Sequence, residues 1–71
     1  MNSRLFRAKM VEKGETSDSV AGYLNIARST LYRKIKGVDA DFDQKEITAL
    51  KNRWELSPED VDRIFFTEKV S

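Results

Sequence analysis

Arg28, Ser29, Tyr32, Arg33, Lys34 and Lys36 crowd into one short stretch that holds no acid. Each of these side chains can donate a hydrogen bond, and the Arg and Lys among them carry positive charge. Such groups suit an anionic partner. Arg28 and Arg33 offer more, because a guanidinium presents two parallel donors that fit O6 and N7 of guanine in the major groove. The available chemistry is therefore recognition rather than catalysis. The chain has no histidine and no cysteine, which removes an imidazole base, a thiol nucleophile and a zinc finger. Asp39, Asp41 and Asp43 alternate through a loop but lack the remaining ligands of a calcium site. Nothing supplies a nucleophile and its base, so neither an enzyme nor a metal or cofactor is expected.

These donors need a helix to carry them. Leu31 and Ile35, four apart, bury one face of that helix and leave Arg28, Ser29, Tyr32, Arg33 and Lys36 on the others. A shorter helix precedes it. Thr16 is its N-cap, Asp18 adds negative charge to its first turn, and Val20, Ala21 and Leu24 form its apolar stripe. Asn25 falls where the chain must reverse, and after glycine asparagine best tolerates the left-handed backbone this requires. Ile26 plugs the gap between the two helices. Residues 16–37 thus read as two short helices joined by a tight turn, the second shaped to enter DNA.

This segment resembles the helix-turn-helix of the lambda-repressor-like family, the Cro/CI-type or XRE group of phage and bacterial regulators. The family core runs Thr-x-x-x-Leu-Ala-x-x-x-Gly-Val-Ser-x-x-Thr-Ile and closes with a glycine. Thr16, Val20, Ala21, Asn25, Ile26, Thr30, Leu31 and Gly37 match it in register, Asn25 standing in for the turn glycine. Two residues depart from it. Ala27 occupies the slot of a Ser or Thr cap, at a cost of about 1 kcal/mol to the second helix. Ile35 lies one place later than the usual apolar residue, with Lys34 in its slot, so the helix is rotated or its end shifted. The resemblance implies an all-α fold of five short helices, a compact DNA-binding bundle spanning residues 1–71 as one domain. It also places base contacts at Ala27, Arg28, Ser29 and Arg33, of which Ala27 offers a thymine methyl only apolar contact.

The remaining elements frame that unit. A helix from about Ser3 to Lys13 buries Leu5, Phe6 and Met10 and ends at Gly14. After the polar loop from Val38 to Asp41, Asp43 and Glu46 form a capping box, Phe42 and Ile47 a hydrophobic staple, and Ile47, Leu50 and Trp54 a buried face. The device recurs with Ser57 and Asp60 around Pro58, stapled by Leu56 and Val61, with Val61, Ile64 and Phe65 as the apolar face. Phe66 is surplus to that stripe. A tail runs from about 67 to 71.

Net charge is only +1, but its distribution is uneven. Residues 1–37 carry eight basic and three acidic side chains, net +5, whereas residues 38–71 carry five and nine, net −4. Such polarity presents a basic face to phosphate while the rest stays soluble. Thr16, Ser17, Lys34, Lys36 and Lys45 are the candidate phosphate contacts, and Tyr32 either stacks on the core or touches a sugar, phosphate or thymine methyl. Asp39 and Asp41 would repel phosphate, so their loop points away, or else backbone N–H groups at the start of the next helix make the contact. We favour the latter. No apolar run approaches the roughly 20 residues that span a bilayer, and the N-terminus lacks a signal-peptide core.

The expected partner is duplex DNA carrying an inverted repeat, bound by a homodimer, with no membrane or small-molecule ligand; Phe66 and Val70 either pack in the dimer contact or belong to a frayed end from Thr67 onward. The resemblance implies a phage or prophage repressor or Cro-like regulator in the bacterial cytoplasm. The rival reading is a helical protein-interaction module, antirepressor or antitoxin-like, anchored on Trp54, Phe65 and Phe66.

Overall fold

The computed structural model describes residues 1–37 and 40–66. The expectations for Val38, Asp39, Val70 and the tail from 67 onward lie outside them. The described chain is all-helical, without a strand: α1 Ser3–Glu12, α2 Ser17–Leu24, α3 Arg28–Lys36, α4 Gln44–Arg53 and α5 Pro58–Val61, which runs on into a π turn, Asp62–Phe66. A radius of gyration of 11.1 Å matches the value of about 11 Å for a folded chain of this length. Among the described residues no helix is long and apolar enough to cross a membrane.

Side-chain caps fix where most of these helices begin. Asn2 accepts from the Leu5 N–H, and reciprocal capping boxes join Thr16 to Ser19, Asp43 to Glu46 and Ser57 to Asp60. Only the last two boxes are evident from the sequence reading. Helix α3 is the exception, because Ala27 at its N-cap is extended and makes no side-chain bond. Ala27→Ser is therefore expected to raise stability by about 1 kcal/mol. Urea unfolding followed by Trp54 fluorescence measures it, as a higher midpoint at unchanged slope.

The core forms around Phe6, which is fully buried. Its ring stacks on Phe42 at 5.1 Å and meets Trp54 and Phe65 edge-on at 5.2 and 6.0 Å. Helix α1, the approach to α4, the end of α4 and the π turn thus converge on one aromatic cluster, whose edge-to-face geometry suits the ring quadrupoles. Met10, Val20, Ala21, Leu31, Ile35, Ile47, Leu50, Leu56 and Ile64 complete the core. Leu5 departs from expectation, remaining 38% exposed. Phe6 and Met10, four apart, define the buried stripe of α1, and Leu5 falls at its edge.

The C-terminal helix differs from a plain α-helix. A π turn fans successive side chains through a smaller angle than an α turn, and adjacent Ile64 and Phe65 are both buried. The Ile64 carbonyl accepts from the Asn2 N–H at 2.7 Å, which fastens the start of the chain to its last described helix. Helix α4 closes at Trp54, after which Glu55 takes a left-handed backbone, φ 50°, without being glycine. Glu55→Gly should relieve that strain and stabilise by roughly 0.5–1 kcal/mol, read from the same urea midpoints.

Candidate nucleic-acid interface

Helices α2 and α3 are joined by Asn25, Ile26 and Ala27 alone. Asn25 adopts φ 58°, ψ 46°, the left-handed conformation its position demands. The next N–H, that of Ile26, closes on the Ala21 carbonyl at 3.0 Å, and the Ile26 side chain packs against the core. The turn is consequently short and internally hydrogen-bonded, so α3 leaves it in one direction. Leu31 and Ile35, 0% and 1% exposed, hold α3 to the core. The Ser3 hydroxyl donates to the Ile35 carbonyl and ties α1 to its far end.

The outward face of α3 is defined by what that anchoring leaves free. Arg28, Ser29, Tyr32, Arg33 and Lys36 are exposed, with Ala27 at the helix start. Their spacing of i, i+1, i+4, i+5 and i+8 makes one solvent face that flanks the stripe of Leu31 and Ile35. No acid lies on the helix. The cations in its last turn also complement the helix dipole, a structural benefit independent of any ligand.

The chain matches no family model, no curated protein and no solved structure. Its own geometry must carry the functional reading.

The other expected contacts divide. Thr16, Ser17 and Tyr32 line one shallow groove with Arg7, Met10, Val11, Glu15 and Ile35. The N-cap of α2 and the α3 face therefore share a surface, and Arg7, an exposed cation, joins it. Arg7 was not among the expected contacts. Its spacing of three from Met10 was the available signal, but nothing in the sequence placed α1 beside Tyr32. Lys45 is exposed in a different depression, with Tyr23, Gln44, Thr48, Ala49 and Asn52.

Lys34 is turned inward. Its ammonium donates to Glu46 at 2.8 Å and to the Asp41 carbonyl at 3.0 Å, and lies 5.9 Å from the Phe42 ring centroid. With both side chains of the Lys34–Glu46 pair largely buried, this ammonium joins α3 to α4 instead of facing outward. A lysine fills an apolar slot in this way by burying its stem and finding a partner for its head. The N-terminus of α4, the favoured site for a phosphate, already holds a carboxylate: Asp43 accepts from the Glu46 N–H at 2.7 Å. That charge disfavours a second anion there.

Glu15 was also missed. It precedes the α2 cap and gathers donors from two elements: Arg53 through two nitrogens, the Trp54 indole N–H at 2.8 Å and the Ser19 hydroxyl at 2.7 Å. Hydrogen bonds from Arg53 above all, then those from Ser19 and Trp54, outweigh desolvation and pull its pKa down to about 2. The same contact raises the Arg53 pKa. Arg53 also lies over the Tyr23 ring at 4.3 Å, and the Tyr23 hydroxyl donates to the Ala49 carbonyl at 3.2 Å. Helix α2 is thereby pinned to the end of α4.

Proposed function

We propose that this chain is a sequence-specific, duplex-DNA-binding transcriptional regulator of the lambda-repressor-like helix-turn-helix type. In this reading it is a phage or prophage repressor or Cro-like protein acting in the bacterial cytoplasm. The observation that supports this best is the α2–turn–α3 unit. Its left-handed Asn25 sets the turn, and its second helix turns an acid-free face of donors and cations to solvent.

Helix α3 enters the major groove. Arg28 and Arg33 read base edges, Ser29 contributes a hydroxyl, and Ala27 meets a thymine methyl. Lys36, Lys45, Thr16, Ser17 and Tyr32 contact the sugar-phosphate backbone, joined by Arg7 from the shared groove. Lys34 stays with Glu46. Two copies related by a two-fold axis bind an inverted repeat with half-site centres about one helical turn apart, and occupancy of promoter DNA blocks transcription. Trp54 and Phe65, two anchors of the interaction-module reading, are 1% and 8% exposed. Of the three anchors of that reading, Phe66 alone is exposed, at 57%.

Selection from a random duplex pool at two salt concentrations tests the proposal. An enriched inverted repeat with affinity falling steeply as salt rises is the expected result. No enrichment and no salt-sensitive binding would reject it.

A further inference from the structure

Arg28 opens the outward face of α3, and it is not alone there. Its Nη1 lies 3.1 Å from the Asp18 carboxylate of α2, with both side chains well exposed, 60% and 75%. An exposed ion pair of this kind adds little to stability. Its position is more informative. Helix α3 has no side-chain cap at Ala27, and the Asp18 carboxylate reaches across the turn to Arg28, its first residue.

We infer that Asp18 is a positioning residue for sequence recognition: it holds the Arg28 guanidinium toward the base edges and withholds it from phosphate. The inference rests on the DNA-binding reading. An unrestrained arginine is long and rotamer-rich, and on any sequence it can swing to a phosphate and add sequence-independent affinity. A carboxylate on one edge restricts that swing. A guanidinium has five donors, so engaging Nη1 leaves enough to address a guanine through two of them. On a wrong base pair, Arg28 lacks its acceptors while Asp18 still repels phosphates and base acceptors nearby. Asp18 thus lowers affinity for every sequence and lowers it least for the right one, which is how a repulsive element creates specificity.

The test is selection and sequencing with the wild type, Arg28→Ala, Asp18→Asn, Asp18→Glu and the double variant Asp18→Asn/Arg28→Ala, alongside affinity for one scrambled duplex. Arg28→Ala identifies the half-site position that Arg28 reads. Asp18→Asn should reduce the preference at that position by about threefold to tenfold and leave the position read by Arg33 intact. Its affinity for the scrambled duplex should rise by about twofold to fivefold. Asp18→Glu should restore the preference, and the double variant should match Arg28→Ala there. Unchanged preference in Asp18→Asn, or equal loss at every position, would overturn the inference while leaving DNA binding standing. A wild type that enriches no sequence would remove the DNA-binding reading and this inference together.

Discussion

Replacing Glu15 with alanine is expected to cost about 2–4 kcal/mol of stability, well above the usual cost of removing an exposed acid. The carboxylate lies at a junction. Its side chain is only 9% exposed, and it accepts from Arg53 and from the indole of Trp54, itself 1% exposed. Alanine would leave that indole N–H without its acceptor, and Arg53 without its counter-charge. Glu15→Gln separates the two losses, since its amide oxygen can still accept from the indole. We expect about 1–2 kcal/mol for glutamine. The pH dependence has a definite sign. The carboxyl is depressed from 4.5 to about 2, so it stabilises the fold above pH 4.5 and loses that contribution as pH falls toward 2. The full shift corresponds to about 3 kcal/mol, and screening around the part-exposed Arg53 reduces this to about 1–2 kcal/mol. Urea midpoints from pH 7 to pH 2 should show a constant gap between wild type and Glu15→Gln down to about pH 5. Below that the gap should close. A gap that persists unchanged to pH 2 would mean that the carboxylate charge is not what holds α2 to α4.

Local signals carried most of the fold. The caps at Thr16, Asp43 and Ser57, the proline after Ser57 and the spacing of Leu31 with Ile35 each act within one or two turns, and the helices begin where those residues place them. Phe6, Trp54 and Phe65 were also legible as apolar residues, though their mutual ring geometry depends on how α1 meets the π turn. What sequence did not reveal is set by contacts between distant positions. Glu15 finds Arg53 and Trp54 nearly forty residues later, and Lys34 finds Glu46 across the segment joining α3 to α4. Both look like ordinary surface charges in a linear reading. Among the expected site residues, Arg28, Ser29, Arg33 and Lys36 are exposed on α3, off the stripe of Leu31 and Ile35 that the sequence made legible. Lys34 is not, because Glu46 and the Asp41 carbonyl cover that side of α3, and a lysine there buries its stem and pairs its head.

That division separates the arginine that should carry specificity from the lysine that should carry only charge. Arg33→Ala is expected to weaken the selected operator by roughly 1–3 kcal/mol, about fivefold to 150-fold, with little change on a random duplex. Arg33 lies one turn and a half into the outward face, exposed, on a helix fixed by Leu31 and Ile35. Its loss should remove donors without moving the helix, and urea unfolding should show a midpoint lowered by no more than the ~0.3–1 kcal/mol of its interaction with the helix dipole. Lys36 sits at the far end of the same face, next to Gly37, where the helix terminates at φ 73°. Its single ammonium is a point charge suited to phosphate, not a fork suited to a base. Lys36→Ala should therefore weaken operator and random DNA alike and reduce the slope of log affinity against log salt by about one per half-site. Fluorescence anisotropy with both duplexes at several salt concentrations reads all of these quantities. Equal losses for Arg33→Ala on the two duplexes would remove Arg33 from the base-reading set and leave α3 as an electrostatic surface. Because both side chains are exposed in the last turn of one helix, a difference between them on the two duplexes reports what each meets on the DNA.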